Sequence, residues 1–359
     1  MAGIIQRLRD SGFQCIGPSE SDAPLVFDTE DDRRPAYRPF EAPRPPNEQI
    51  EVHDLRPERG CLFRYFLDAS MKTTGAGHVV DTKRRYLPIF IAQIGVAATR
   101  LDSTKIAIER YSDQNILFLP DTFSDEDTKT ARQEVARAAY GSRFRFDLEL
   151  DVYPIKSDTD PIDSARERSL ARMHEMEIHL ITQFSESGKV TRDSLLMIDG
   201  SLQFYENLDR QREAFRNVVG VAKSFDVHQR VGTGSNAREI GTIVAHLKHR
   251  HRTAARKIEH RNLSIGAWYL RLHSPKPISG LGVTDGVVKI EIFPDNPTGT
   301  EPALDANRCN VISENVLSLR HPTTPWNDSR WASHLYPIHV TERYIRTRFK
   351  SDRTMMSML

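Results

Sequence analysis

The chain has 359 residues, of which 38% are apolar and 28% charged, and its formal net charge is +1. This length suits one large α/β domain with insertions or two domains, and the composition is that of a globular protein whose core needs no covalent staples. No stretch approaches the roughly 20 apolar residues of a membrane span, and the N-terminus lacks an apolar signal core, so we expect a cytoplasmic protein without a membrane partner. The three cysteines are too few and too widely spaced for a disulfide framework or a zinc module.

The first 58 residues differ from the remainder in composition. Residues 1–17 predict a short amphipathic helix. Residues 18–58 are acidic and then rich in proline, which disfavours regular structure and predicts an extended arm, either a solvated loop or a segment that wraps over a partner. We expect the main domain at 59–348 and a tail at 349–359.

A series of β-prone segments follows the arm. CLFRYFLDAS (61–70) predicts a buried strand that ends at Asp68. Residues 78–101 predict two further strands, with Leu87–Ala98 the most deeply buried, and 105–120 predict one or two more. Strands in series with few helix-length gaps favour an antiparallel meander.

The second half of the chain mixes helices and strands. Helices are predicted at 124–140, with Ser124 as N-cap, at about 163–184 and at 239–261, and a helix or loop-helix at 333–348. SLLMIDGSL predicts a strand that ends at Asp199 before a glycine turn. Segments 267–273 and 286–293 predict a β-hairpin.

Two segments share one design, an apolar strand that delivers an aspartate just before small residues. They place Asp68 before Ala69 and Asp199 before Gly200. A carboxylate at the end of a buried strand is costly unless its charge is compensated. A divalent cation is one compensation, and a turn that the aspartate caps with its own backbone is the other.

Glu177 is a third candidate acid. It lies among apolar neighbours on a helical face with Leu170, Met173 and Leu180, and a glutamate on such a face requires a partner. The partner is either an arginine or lysine, or a cation shared with Asp68 and Asp199. Three hard oxygen ligands suit Mg²⁺ or Mn²⁺ and do not suit zinc.

These motifs together resemble those of the NurA nucleases. The resemblance spans roughly 60–345 and rests on DAS at 68–70, the helix acid Glu177, IDGSL at 198–202, VVGVAKSF at 218–225 and KIEIFP at 289–294. It departs from the family at Ala69, where glycine is usual, and in the long separation of the two aspartates, which implies an insertion at about 120–165.

The resemblance implies an α/β fold of the RNase H-like kind, a mixed sheet flanked by helices, with Mn²⁺ or Mg²⁺ held by Asp68, Glu177 and Asp199. It further implies that Lys223 contacts the scissile phosphate, although a lysine in that apolar run could equally extend to the surface. The C-terminal motif YPIHVTERY offers His339 first and Glu342 second as a fourth ligand, with a surface or capping histidine as the alternative.

Basic residues concentrate in two places. Either a solvated face or a phosphate-binding surface would account for them, and the absence of interleaved aromatic residues from the longer run argues against base stacking there. The candidate nucleic-acid ligands are Arg84 and Arg85, beside Lys83, and then Lys248, Arg250, Arg252, Arg256 and Lys257.

The function that the sequence favours is metal-assisted hydrolysis of DNA by a two-metal mechanism. The resemblance implies a homodimer that docks on a hexameric ATPase of the HerA type, in DNA end processing or anti-phage defence. One alternative is an RNase H-like DNA-binding or scaffold subunit that no longer binds metal. Another is a guide-dependent nuclease of the Argonaute-Piwi kind, for which the chain is short and shows no guide-end pocket.

Overall fold

A computed structural model describes most of the chain, namely residues 4–16, 37–42, 49–54, 60–103, 105–140, 147–157, 159–204, 208–231, 237–260, 263–273, 284–294, 304–320 and 333–356. Among these residues no helix has the length and apolar character that crossing a membrane requires. The strands are β1 (Gln14–Ile16), β2 (Tyr37–Pro39), β3 (Glu41–Ala42), β4 (Gln49–Glu51), β5 (Phe63–Val80), β6 (Tyr86–Asp102), β7 (Lys105–Pro120), β8 (Glu149–Tyr153), β9 (Leu195–Asp199), β10 (Val218–Ala222), β11 (Arg230–Val231), β12 (Arg238–Glu239), β13 (His251–Thr253), β14 (Arg256–His260), β15 (Leu263–Arg271), β16 (Val287–Ile292) and β17 (Leu304–Asp305). The helices are α1 (Ile4–Asp10), α2 (Asp125–Tyr140), α3 (Pro161–Glu186), α4 (Leu208–Phe215), α5 (Ile240–Ala245), α6 (Ala306–Ser318), α7 (Tyr336–Arg348) and α8 (Asp352–Met356).

One large mixed sheet organises the chain. Its strand order is β12-β11-β2-β14-β15-β16-β10-β9-β5-β6-β7-β8. The predicted meander is confirmed, because β5, β6 and β7 pair antiparallel along most of their length. The predicted hairpin is β15 with β16. At the centre, β9 pairs parallel with both β5 and β10, so these three strands run in the same direction; β9 and β10 end at the same level, and β5 continues beyond them.

Helices cover both faces of the sheet, which confirms the predicted α/β class with a mixed sheet flanked by helices. On one face, Phe66, Met197 and Ile290 pack against α6 and the start of α7. On the other face, Leu67 and Ile198 pack against α3. Side chains of a strand alternate between the two faces, so neighbouring residues of one strand belong to different cores.

Helix α7 lies unusually close to the sheet. A Cβ atom on Gly95 of β6 would stand 2.6 Å from Ile345 Cγ2, so only glycine permits this approach. One turn earlier, the buried hydroxyls of Thr99 and Thr341 are 2.7 Å apart. The close contact fixes the height of α7 above β5 and β6, and with it the position of every side chain that α7 directs at the sheet.

The prediction of a helix over 239–261 is wrong beyond its first turns. Only α5 is helical; the chain then reverses at Arg250, whose φ is 60°, and continues as β13 and β14. Strand β14 pairs with β15 on one side and β2 on the other. The buried Ala255 and Ile258 belong to two different cores, one on each face of the sheet. The run of basic residues concealed these apolar positions.

Part of the predicted arm is sheet. Strand β2 pairs with β14, β4 pairs with β13, and β3 pairs with β17, because partner strands supply the hydrogen bonds that the proline-rich segment cannot make by itself. Residues 18–36, 43–48 and 55–58 of the arm lie outside the described residues. The N-terminal helix is present, with Ile4 and Leu8 buried, but it ends at Asp10 and the chain continues as β1 on the edge of β5.

Candidate functional site: a carboxylate cluster on the sheet

Asp68 lies inside a strand, whereas the sequence predicted that it ends one. Strand β5 continues to Val80, and Asp68 pairs in register with Ala97 of β6. The small residues Ala69 and Ser70 resembled the beginning of a turn, but the long antiparallel partner β6 holds them in extended conformation. Asp199 does end β9, as predicted, and Gly200 follows with φ of 121°, where a residue with a side chain would be strained.

The register of the parallel strands brings the two aspartates together. Leu67 pairs with Ile198, so Asp68 and Asp199 are the next residues on adjacent strands, whose axes are about 4.8 Å apart. Both follow residues of the α3 face, Leu67 and Ile198, and therefore lie on the face that α7 covers. The structure therefore places these two acids side by side, and their shared role as metal ligands stays a prediction.

The carboxylate of Asp68 is buried and only half satisfied. The side chain is 5% exposed, its Oδ1 accepts a hydrogen bond of 2.9 Å from the amide of Ala69, and its Oδ2 has no hydrogen-bond partner. Burial raises the pKa of Asp68 well above its usual range, and the charge of Asp199 adds to the shift, with smaller contributions from Glu342 and Glu177. The positive charge of Lys223 opposes these effects without cancelling them.

Asp199 has the partner that Asp68 lacks. Lys223 directly follows β10, and its Nζ donates a hydrogen bond of 2.7 Å to Asp199 Oδ2. Burial raises the pKa of Asp199, and the ion pair with Lys223 only partly offsets that shift. For Lys223 the balance is opposite: burial alone would lower its pKa, but the surrounding carboxylates Asp199, Asp68 and Glu342 raise it, so the ammonium stays charged. The alternative in which Lys223 extends to the surface is therefore not what the structure shows.

The fourth group of the cluster is Glu342, which the sequence ranked second to His339. Glu342 is on α7, and its charge affects the pKa of Asp68, Asp199 and Lys223. It also forms an ion pair of 2.7 Å with Arg346 one turn later. His339 lies one turn before Glu342 and belongs with it to a group of possible ligand atoms, so which of the two is the fourth ligand stays a prediction.

Glu177 approaches from the opposite side of the sheet. It is 5% exposed on α3, whose Leu180 and Ile181 pack on the face away from α7. Its charge raises the pKa of Asp68 less than Asp199 and Glu342 do. Its burial on the inner helical face is as predicted, and its place among the metal ligands stays a prediction.

A second buried carboxylate, Glu291 of β16, was not selected from the sequence. Its oxygens accept hydrogen bonds of 2.7 Å from Ser201 Oγ and from the amide of Leu202, and another from Gln203. Lys289 Nζ forms an ion pair of 2.7 Å with it. Glu291 therefore holds the turn that follows Asp199. The alternation of Lys289 and Glu291 with isoleucines in KIEIF could have identified this pair, because charges inside an apolar strand require partners.

Beneath the same turn, Gly220 of β10 leaves room for the backbone. A Cβ atom there would stand 2.9 Å from the carbonyl oxygen of Gly200. The glycine of the VVGVAK motif thus permits the close packing of the turn that positions Asp199. The sequence placed this glycine in the motif without showing what it faces.

One of the predicted nucleic-acid ligands must be withdrawn. Arg252 is 1% exposed, and its guanidinium donates to both carboxylate oxygens of Glu41 at 3.0 and 2.6 Å and to Asn310 at 2.8 Å. This bidentate pair ties β13 to β3, so Arg252 is part of the core. A buried guanidinium whose donors are used within the protein cannot reach a phosphate.

Four of the other basic candidates, Arg84, Arg85, Arg256 and Lys257, lie away from the carboxylate cluster. Arg84 and Arg85 are at the turn between β5 and β6, roughly 40 Å along the strand from Asp68, and Asp81 shapes that turn by accepting from the Arg85 amide and Nε, both at 2.8 Å. Strand β14, with Arg256 and Lys257, is four strands from β9, about 19 Å. Lys248 is exposed, whereas Arg250 pairs with Asp54 at 2.7 Å.

These groups define a class of site: a partly buried acidic cluster on the central strands of a mixed sheet, paired with Lys223 and, through Glu342, with Arg346, and chemically suited to hard divalent cations. No protein-family model and no curated protein matches the sequence. The solved structures that the chain resembles include the NurA nuclease from Sulfolobus solfataricus, with a TM-score of 0.46 at 12% identity over 86% of this chain and 85% of that one. They also include the catalytic domain of human endonuclease V, at 0.35 and 9% over 87% and 93%, and a second NurA structure, at 0.29 and 9% over 89% of each chain. Structural similarity at this level does not indicate function, so the function is inferred from the side chains of the site.

Proposed function

We propose that the chain is a divalent-metal-dependent nuclease of the NurA kind, with Asp68, Asp199 and Glu342 as the principal ligands. The observation that carries the proposal is the orphaned Oδ2 of Asp68, a buried carboxylate oxygen without a hydrogen-bond partner. Such an atom costs free energy unless a group outside the chain satisfies it. Backbone capping accounts for Oδ1 alone, so the turn-capping alternative explains half of the carboxylate.

The charge and chemistry of the cluster specify what that group is. Lys223 is the cationic side chain that bonds Asp199, whereas Asp68 and Glu342 add further negative charge close by. Ligands that are all carboxylate oxygens match Mg²⁺ and Mn²⁺. A bound cation would supply the positive charge that one lysine cannot, and the raised pKa of Asp68 would then fall.

Cleavage of a phosphodiester bond uses these residues in distinct roles. Divalent cations, when bound, would supply an activated water and stabilisation of the departing 3′ oxygen. Asp68 and Asp199 would hold them from adjacent strands, and Glu342 would close the site from α7. Lys223, which stays protonated, neutralises charge on the phosphate while its bond to Asp199 fixes its direction.

The test is cleavage of linear and single-stranded DNA with Mn²⁺ or Mg²⁺ by Asp68→Asn and Asp199→Asn. Each substitution keeps the side-chain shape and removes the charge, so we expect a loss of at least about 100-fold with the fold intact. Asp193→Asn, at an exposed position, is the matched control and should cleave normally. Full activity in either site variant rejects the assignment.

The competing function is a DNA-binding or scaffold subunit that has lost metal binding. The ion pair of Lys223 with Asp199 is the feature that would serve it, because it partly neutralises the site without a cation. Calorimetric titration with Mn²⁺ separates the two functions. A nuclease binds Mn²⁺ in a manner that depends on Asp68, and a scaffold shows no such heat.

We propose further that the protein acts on DNA as a homodimer with a HerA-type ATPase, in end processing or anti-phage defence. The support is the sequence resemblance, together with exposed basic side chains such as Lys248 and Arg84 that could contact phosphates. Light scattering of the purified chain, alone and mixed with such an ATPase, tests the assembly. A monomer that does not bind the ATPase rejects it.

A further inference from the structure

Two histidines and a glutamate meet at the start of α7. Ligand atoms of His334, His339 and Glu342 all lie within 4.8 Å of one another, and all three residues are half-buried. The His334 and His339 rings are 5.8 Å apart at an interplanar angle of 74°. Both imidazoles are thus directed at the same small volume, beside the carboxylate cluster that Glu342 also joins.

The backbone holds this group in place. His339 and Glu342 are three residues apart on one helix, so they share a face. His334 lies just before the helix, where the chain is fixed by a bridge between Arg320 and Leu335 and by a bond of 2.9 Å from the Tyr336 amide to the Leu319 carbonyl. The end of α6 therefore anchors the residue that precedes α7.

The distances suit a single ion. Two ligand atoms at about 2.1 Å from one metal in tetrahedral geometry are about 3.4 Å apart, so shifts of up to roughly 1.4 Å would close the group, within the reach of side-chain rotation. Two imidazoles with one carboxylate form the set that transition metals prefer, because nitrogen ligands suit Mn²⁺, Fe²⁺ and Zn²⁺ better than Mg²⁺.

We propose that His334, His339 and Glu342 form a transition-metal site that shares Glu342 with the all-oxygen cluster of Asp68 and Asp199. The inference deepens the proposed function and rests on it for its purpose, since Glu342 belongs to both groups. The two cation positions are then chemically unequal, one with oxygen ligands alone and one rich in nitrogen. His334 precedes the YPIHVTERY segment, so that motif alone does not identify it.

A metal ion at this site would compete with an existing ion pair of Glu342. Glu342 Oε1 already bonds Arg346 at 2.7 Å, so an ion competes with the guanidinium or uses the second carboxylate oxygen. Arg346 is well exposed, which means that water can solvate it when the bond weakens. Metal binding therefore does not leave a buried unpaired charge.

The experiment measures nitrogen ligation of Mn²⁺ in the full chain, by electron spin-echo modulation from ¹⁴N and by titration of free Mn²⁺. Wild type should show histidine modulation, and His334→Gln and His339→Gln should each lose it and bind that ion at least tenfold more weakly. His228→Gln, an exposed histidine elsewhere, is the matched control and should resemble wild type. Unchanged modulation and affinity in both site variants overturn the proposal.

Asp68→Asn separates this inference from the proposed function. The variant should keep the nitrogen modulation, because its missing charge belongs to the oxygen cluster, and should lose cleavage. If Asp68→Asn cleaves normally, the proposed function fails while the ¹⁴N result still decides the histidine site. If the variant is inactive and the histidine variants retain modulation, the histidine site alone is wrong.

Discussion

Asp68 and Glu291 are two buried carboxylates on the same sheet, three strands apart, and they differ in almost everything except burial. Glu291 accepts bonds from Ser201, Leu202 and Gln203 and pairs with Lys289. Asp68 accepts one backbone bond on one oxygen. Burial acts to raise both pKa values, yet that of Glu291 is lowered, whereas that of Asp68 is raised.

The difference shows that partners, and not burial, distinguish a structural acid from a candidate ligand. Lys289 and the hydrogen bonds from Ser201 and Gln203 stabilise the charge of Glu291 more than burial destabilises it. At Asp68 the neighbouring carboxylates add to the penalty, and the free oxygen remains for a cation. Removal of the negative charge should therefore destabilise the protein at Glu291 and stabilise the metal-free protein at Asp68, which the following predictions use.

Removing Glu291 should have the largest effect on stability. Glu291→Ala leaves Lys289 buried without its carboxylate and releases the turn after Asp199, so we expect the free energy of unfolding to fall by about 3–5 kcal/mol in urea titrations. Glu291→Gln keeps an acceptor for Ser201 and should lose less. A Glu291→Ala variant as stable as wild type would show that the network does not hold the turn.

Removing the charge of Asp68 should raise the free energy of unfolding of the metal-free protein, the opposite of the effect expected at Glu291. Because its folded pKa is raised, the native state keeps a proton that the unfolded chain releases near pH 4, so wild-type stability falls as pH rises from there towards the folded pKa. We expect Asp68→Asn to equal wild type at pH 4 and to exceed it by about 1–3 kcal/mol at pH 8 with a chelator present.

The control for that measurement is Asp193→Asn, which should change stability by less than about 0.5 kcal/mol at either pH. Saturating Mn²⁺ should reverse the order, since an ion at 100 times its dissociation constant stabilises the native state by about 2.7 kcal/mol and wild type binds it better. Equal pH dependence of wild type and Asp68→Asn would refute the raised pKa.

The smallest expected effect is on DNA binding, from the exposed Lys248, which lies near neither Asp68 nor Glu291. Lys248→Gln should weaken DNA binding modestly and reduce the slope of log K against log salt by about 0.9, because one phosphate contact is lost. Fluorescence anisotropy at several salt concentrations measures it, with the exposed Lys129→Gln on α2 as control. An unchanged slope for Lys248→Gln removes this residue from the nucleic-acid surface.

The sequence predicted elements well wherever a long apolar pattern dominated. The strands β6, β9 and β16 and the helices α2, α3 and α7 were all expected, and Ser124 caps α2 through a bond of 3.1 Å to the Asp127 amide. In these segments burial of one or both faces decides the structure, and the residue pattern records burial directly.

Prediction failed where distant chain supplied the stabilising partner. The segment 239–261 becomes strand because β15 and β2 supply hydrogen bonds on either side of β14. Strand β5 continues past Asp68 because β6 pairs with it. Neither strand pairing can be recognised from the local composition. The local sequence therefore favoured a helix at 239–261 and a strand end at Asp68.

The sequence by itself determined that Asp68 and Asp199 are delivered by apolar strands and that Glu177 is buried on an inner helical face. Only the tertiary structure decided that Glu342 joins the cluster, that Lys223 bonds Asp199, that Glu291 holds the turn and that Arg252 is part of the core. The physical reason is that an ionisable group is defined by its partners, and those partners come from residues far away along the chain.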